Sequence, residues 1–375
     1  MAQITRQKFI YRWTPPALLQ YARDIKQRLD SRTDFLCFWK GFDKSSIPAA
    51  LVDMVESFIA NQDFKRVSRY WHYLNAQNLS MLANLGADNY RNSVALNYFT
   101  WTTISEEMAG TIIRIAASAG SPHIANIFKT QPGLDLIASL NHNLLVGALF
   151  SALSESGGLA HFEEIREEIT ENIPYVTIDN KKVTQDRMNS LMELQTISKV
   201  FNFQPESTIV EIGAGSGRTA TCLLSLNPNL KYIIADIPPA LFLSSTNLRR
   251  LFPERRIAVG FREKNSAALE KLIDENDLIF IFPSQLSLLR PKSVDLFLAI
   301  DCLHEMTKKT IDGYFDEIDR LAKRFYMKVW NHTRVPFDLH ELDKNDFPIK
   351  KHWTVALDQP CIFPASFSEM GYHLP

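Results

Sequence analysis

Apolar side chains recur every three to four positions through the first half of the chain and gather in short unbroken runs through the second half. The first pattern predicts helices. One opens at Pro15–Pro16 and runs through Leu18, Tyr21, Ala22, Ile25 and Leu29. Others are predicted over Ile47–Ile59, Asn78–Leu85, Glu107–Ala119 and Leu134–Leu153. The last three stop at Gly86, at Gly120–Ser121–Pro122 and at Ser156–Gly157–Gly158, where glycine and proline end a helix. After Pro174, the segment Tyr175–Thr184 predicts a β-hairpin turning at Asp179–Asn180, and Asp186–Phe201 predicts one more helix.

From Thr208 onward the runs shorten and alternate. Strands are predicted at Thr208–Ile212, Lys231–Ala235, Leu278–Phe282, Val294–Ile300 and Phe325–Trp330. Helices are predicted between them at Ser216–Leu226, Pro239–Leu251 and Lys309–Ala322. Leu278–Phe282 is the preferred third strand, with Arg256–Phe261 as the alternative. His352–Ile362 and Phe367–His373 would close the sheet as an antiparallel pair. Strands that alternate with helices and lack polar alternation belong to a parallel sheet buried on both faces. The predicted fold is α/β, a Rossmann-like doubly wound sheet, with a mainly helical domain over residues 1–200 and the sheet domain over residues 201–375.

Composition narrows the function. With 375 residues and 46% apolar content, the chain can bury two cores. Forty-one basic residues against 42 acidic ones give a net charge of -1, so nothing points to nucleic acid. Cys37, Cys222, Cys302 and Cys361 show no metal-binding spacing, which fits a reducing cytoplasm. The opening residues hold no secretory apolar stretch, and no apolar run reaches the ~18 residues of a membrane span. Self-association stays open.

The strongest local signal is Val210-Glu-Ile-Gly213-Ala-Gly215-Ser-Gly217-Arg218, between a predicted strand and a predicted helix. Glycines there let the backbone turn sharply and let a ligand approach it. A dinucleotide fingerprint reads G-x-G-x-x-G. Here the third glycine comes one residue early and Glu211 precedes the first by two. This E-x-G-x-G-x-G form resembles that of methyltransferases. Its carboxylate suits a cofactor with a cationic amino-acid end, S-adenosylmethionine, with S-adenosylhomocysteine as product. Glu211, Gly213, Ala214, Gly215 and Gly217 are the candidate cofactor contacts. Asp236 and Ile237 join them, because a carboxylate about 20 residues past the loop can accept both ribose hydroxyls. Asp236 can alternatively serve as a helix cap before Pro238–Pro239. Ser284 and Gln285, after the third strand, are candidates for the adenine edge or for loop capping.

The fourth strand runs into Asp301-Cys-Leu-His304-Glu305-Met306. Ligands in such sheets bind beyond the carboxyl ends of strands. Methyl transfer to an alcohol requires a base for the hydroxyl proton. His304 is the first candidate and Glu305 the second; the alternative is that both merely open the next helix. Asp301 is a catalytic candidate or a partner for the cofactor's amino group. His332 points to the same rim as a substrate contact. A divalent metal held by Asp301, His304, Glu305 and His332 is the weaker alternative.

These residues resemble a family of sugar O-methyltransferases from bacterial surface-polysaccharide clusters, within the class I S-adenosylmethionine-dependent superfamily. The resemblance rests on Trp71…Leu74, on Gly86-Ala-Asp-Asn-Tyr-Arg91 and on Asn97-Tyr-Phe99. It continues through Gln185-Asp186…Asn189-Ser190…Glu193, Asp236-Ile-Pro-Pro, Glu305–Met306 and Tyr314–Phe315. It implies methyl transfer to a hydroxyl of a sugar or glycan. Asn89, Arg91, Asn97 and Tyr98 are its acceptor-side candidates, polar and aromatic groups of the kind that line interdomain pockets; Tyr98 and Arg91 can equally be core and surface. Relatives often read Ser-x-x-Glu-Met at the fourth strand, whereas Cys302–Leu303–His304 stand here, which leaves Glu305 a rival to His304. Other readings are a nitrogen or phenol methyltransferase, a silent cofactor-binding module, and a nicotinamide oxidoreductase, against which the early third glycine argues.

Overall fold

The computed structural model describes residues 34–86, 104–105, 108–113, 128–169, 173–335, 337–338 and 340–375. The helix expected from Pro15 and the candidates Asn89, Arg91, Asn97 and Tyr98 lie outside the described residues. So does most of Glu107–Ala119, of which 108–113 are helical.

The first described helices are Phe35–Gly41, Ala49–Ala60 and Arg69–Leu85. Arg69–Leu85 begins nine residues before the apolar pattern shows it. Ser68 caps its start by accepting from the Trp71 amide, and its first turns carry Tyr, Trp, His and Asn rather than an apolar stripe. Gly86 ends it at φ 81°, as expected. The helix Leu136–Ser156 is capped by Asp135 and terminated by Gly157 at φ 74°. Its length and composition are those of a membrane span, with a mean hydropathy of 1.5, which corrects the expectation that no stretch qualifies. Just over half of that apolar window, 56%, is buried inside the protein. Gln131 and Lys129 engage Asn143 on its buried side.

A hairpin follows, β1 (Val176–Ile178) and β2 (Lys181–Val183), with Asp179 and Asn180 both at positive φ, as a tight primed turn requires. Thr184 caps the helix Gln185–Val200. Its Met188, Leu191, Met192 and Ile197 share one apolar core with Leu145, Leu149 and Leu153 of the helix Leu136–Ser156 and with inward residues of the main sheet.

That sheet has eight strands: β3 (Thr208–Ile212), β4 (Lys231–Ala235), β5 (Ile257–Val259), β6 (Leu278–Ile281), β7 (Leu296–Ile300), β8 (Arg324–Trp330), β11 (Thr354–Pro360) and β12 (Phe367–His373). Two further strands, β9 (His332–Arg334) and β10 (Glu341–Asp343), pair with each other outside it. The order across the sheet is β11-β12-β8-β7-β3-β4-β6-β5. β5, β6, β4, β3, β7 and β8 run parallel; β12 lies antiparallel to β8, and β11 antiparallel to β12. The fold is thus a Rossmann-like doubly wound sheet behind a helical N-terminal region. β6 pairs directly with β4, so Leu278–Phe282 is the third strand; the alternative segment also forms a strand, at the edge. Strand residues alternate between two cores. Ile209, Tyr232, Phe280 and Leu298 face the helices Gln185–Val200 and Arg218–Leu226, and Val210, Ile233, Ile279 and Phe297 face the helix Lys308–Leu321. Chain order reverses at β3, between β4 and β7. A crevice opens there, past the carboxyl ends of the strands.

The seam between β12 and the helix Gln185–Val200 is tight. A Cβ placed on Gly371 would lie 2.4 Å from a methyl of Val200. Gly371→Ala should therefore lower unfolding free energy by about 1–3 kcal/mol, and Val200→Ala in that background should recover part of the loss. Denaturant titration of the three proteins checks it; an unaffected Gly371→Ala shows that the seam yields.

Candidate functional site

The crevice is a cavity of about 400 Å³. Its floor is the turn between β3 and the helix Arg218–Leu226. Gly213 and Gly217 adopt φ 63° and 79°, where a side chain is strained. A Cβ on Gly213 would also stand 2.6 Å from the Cβ of Cys302. Ala214, Gly215 and Ile237 line the cavity beside them.

Two buried carboxylates flank the turn. Asp236, at the end of β4, accepts from the Gly215 amide at 2.9 Å and from the Ile237 amide at 2.7 Å. Burial nevertheless pushes it up to about 7. Glu211 accepts from the Tyr232 hydroxyl at 2.8 Å, and burial pushes it to about 7 as well.

A third carboxylate, Asp301, closes β7 in the left-handed region at φ 55°. Its Oδ2 accepts from Arg218 Nη2 at 3.2 Å and from Lys328 Nζ at 3.1 Å. Its Oδ1 is buried with no hydrogen-bond partner. The same two cations grip Glu193 of the helix Gln185–Val200. Arg218 binds it through both terminal nitrogens, at 2.5 and 2.8 Å, and Lys328 at 3.0 Å. Burial alone would raise the Glu193 carboxyl, but Arg218 and Lys328 outweigh it and hold Glu193 well below its ordinary range.

The predicted base candidates sit side by side. His304 is buried, edge-on to Trp330 and Phe367 at 6.2 and 6.1 Å between ring centres. Burial, reinforced by Lys328, pushes its imidazole down to about 3, so it is neutral at any working pH and a weak base. Its Nδ1 has no partner, and its Nε2 is 3.9 Å from Glu305 Oε1, too far for a hydrogen bond. Glu305 Oε2 accepts from the Trp71 indole at 3.1 Å. Glu305 and Trp71 both line the cavity, with Tyr314, Arg66 and Asn189.

Three candidates lie elsewhere. Gln285 is turned into the protein: its Oε1 accepts from the Phe282 amide, and its Nε2 donates to the Gly260 and Glu263 carbonyls. Its amide is thus committed to loop capping and does not face an adenine. Ser284 lies beside Asp63, whose carboxyl it holds down against the raising effect of burial, and of its turn only Pro283 borders the cavity. His332 is exposed on β9 and bonds to Asp343 at 2.8 Å, away from the cavity. That corrects its placement at the rim and removes it from any shared metal site. Among the described residues, no three His, Cys, Asp or Glu side chains are grouped to hold a metal. The two cations on Asp301 would also repel one.

Sequence reading missed the Glu193–Lys328 pair and the wall formed by Arg66, Trp71 and Tyr314. One signal was available for Lys328, a lone charge inside the apolar strand Arg324–Trp330, because a lysine buried there requires a partner.

No family model matches the chain, and no curated protein matches it. Solved structures that are similar to it include geranyl diphosphate C-methyltransferase from Streptomyces coelicolor A3(2), at 9% identity and TM-score 0.37, covering 76% of this chain and 98% of that one. Another is the mitomycin 7-O-methyltransferase MmcR, at 13% identity and TM-score 0.34, covering 80% and 87%. A third is M. capricolum TrmK, at 12% identity and TM-score 0.31, covering 48% and 67%. Likeness of this degree carries no chemistry to this chain; strand order and the cavity's own residues define the site.

Removing one member of the buried charge cluster leaves the others uncompensated. Glu193→Gln should lower stability by about 3–5 kcal/mol at neutral pH. Because folding depresses the Glu193 pKa, its contribution is present above the ordinary 4.5 and fades as pH falls below that value. The gap between wild type and variant in thermal melts should therefore narrow in acid. A gap that is constant with pH would show that Glu193 is not ionised in the fold.

Proposed function

We propose that the chain is an S-adenosylmethionine-dependent methyltransferase that methylates a hydroxyl of a sugar or glycan. The observation that carries it is the convergence of the glycine turn, Asp236 and the Asp301 carboxylate on one cavity. The residues fit the cofactor. Asp236 borders the cavity with a carboxylate that can accept ribose hydroxyls beside its two backbone donors. Ala214 and the glycine backbone leave room for close approach. Asp301 Oδ1, a buried acceptor without a donor, suits the α-ammonium group. Bound there, the cofactor would supply an electrophilic methyl group for in-line displacement by the acceptor oxygen.

Glu305 is the residue we assign to take the hydroxyl proton. Both residues border the cavity, but burial and Lys328 depress the basicity of the His304 imidazole. A second reading, with His304 as hydrogen-bond acceptor for the hydroxyl, is favoured by its partnerless Nδ1. The walls combine Tyr70, Trp71, Tyr314 and Trp330, aromatic faces on which a sugar ring can stack. In this reading residues 1–200 form the acceptor-side cap and residues 201–375 the cofactor domain. Four free cysteines suit a reducing cytoplasm, and no metal or nucleic-acid partner is needed.

Calorimetry should show S-adenosylhomocysteine binding and none of NAD; the reverse would end the proposal. Ribose hydroxyls bond to the ionised form of Asp236, which sits near 7 in the empty protein. Affinity should therefore rise with pH, by up to about tenfold per unit below 7, and flatten above it. Glu211 titrates over the same range, so Asp236→Asn separates the two: it should weaken binding and reduce the slope to what Glu211 contributes, and an affinity and slope both unchanged in it would reject the assignment.

Turnover can be sought with a panel of monosaccharides and glycans as acceptors. Glu305→Gln should reduce it by roughly 10²–10⁴-fold with S-adenosylhomocysteine affinity intact, and His304→Asn by far less. The opposite ranking would move the proton to His304.

A further inference from the structure

Trp71 comes from the helical region, 234 residues before Glu305, yet its indole N–H donates to Glu305 Oε2 at 3.1 Å. The first turn of its helix is fixed from several sides. The Arg69 amide donates to Asp338 Oδ2 at 2.9 Å, and the Trp71 amide donates to the Ser68 cap. Thr310 Oγ1 donates to the Arg66 carbonyl at 2.7 Å. Tyr70 stacks on Phe337 at 6.1 Å. An indole held this way presents its N–H in one direction.

We propose that Trp71 is a positioning residue: it holds the Glu305 carboxylate at the cavity wall, fixes which oxygen is engaged, and favours the ionised form. This rests on the reading of Glu305 as base. A neutral donor bonded to a carboxylate stabilises the anion. Oε1 is the oxygen on the side of His304, 3.9 Å from its Nε2. Among the described residues, the charged or titratable groups that line the same cavity are Asp301, Cys302 and His304 after β7, Glu211 and Asp236 on β3 and β4, Arg218, Tyr314 on the helix Lys308–Leu321, and Arg66 and Tyr70. The N-terminal wall is thereby part of the proton-accepting apparatus as well as an enclosure.

Trp71→Phe keeps the ring and deletes the donor. With an acceptor from the panel above, turnover at neutral pH should fall by about tenfold. The acid limb of turnover against pH should move to higher pH, because the carboxylate loses a group that favours its charge. S-adenosylhomocysteine affinity should stay unchanged. Independently of any acceptor, the Trp71 indole resonance in ¹⁵N–¹H spectra of the protein alone, assigned by its loss in Trp71→Phe, should titrate with pH and cease to do so in Glu305→Gln. An indole indifferent to Glu305→Gln, or an unmoved acid limb in Trp71→Phe, overturns the positioning role. Full turnover in Glu305→Gln overturns the base assignment itself, whatever the indole does.

Discussion

Glu193, Arg218, Asp301 and Lys328 form a set of opposed charges with little access to solvent, where each requires the others. They come from four different elements: the helix Gln185–Val200, the start of the helix Arg218–Leu226, the end of β7, and β8. Their mutual attraction fixes the helical region against the sheet at the carboxyl ends of the strands. It also holds Asp301 in a left-handed backbone conformation that costs about 1–2 kcal/mol for a residue with a Cβ. The Asp301 amide donates to the Lys328 carbonyl at 3.0 Å, so the same two residues are joined through both backbone and side chain.

Behind the cavity the charges are paired; at its surface they are held in suspense. Burial raises Asp236 and Glu211 to about 7, and Asp301 keeps one oxygen without a donor. A ligand that brings hydroxyls and a positive group relieves both conditions, whereas a pyrophosphate would meet carboxylates on several sides. This is the electrostatic reason for preferring a sulfonium nucleoside over a dinucleotide, and it comes from the folded site as much as from the spacing of the glycines.

The sheet was readable because its signals are local. Short apolar runs, the glycine turn and the Asp179–Asn180 hairpin are set by dihedral preferences and by burial on both faces. Leu278–Phe282 was identified as third strand, and Phe367–His373 as half of an antiparallel pair, on those grounds. The start of the helix Arg69–Leu85 was not readable, since Ser68 and a run of aromatic and polar residues carry no 3.6-residue stripe. β9 and β10 were missed because they are short and, unlike β1 and β2, are not joined by a tight Asp–Asn turn: six residues separate them.

At the site, the sequence by itself determined the turn and the carboxylates after β3, β4 and β7, because glycine conformation and strand ends depend on neighbours in the chain. Tertiary structure decided the rest. It turned Gln285 inward to satisfy Gly260 and Glu263, sent His332 out to Asp343, and buried His304 until it lost its basicity. It brought Trp71 to Glu305 and Glu193 to Lys328. Such outcomes depend on which distant group fills a buried donor or acceptor, and packing in three dimensions makes that choice.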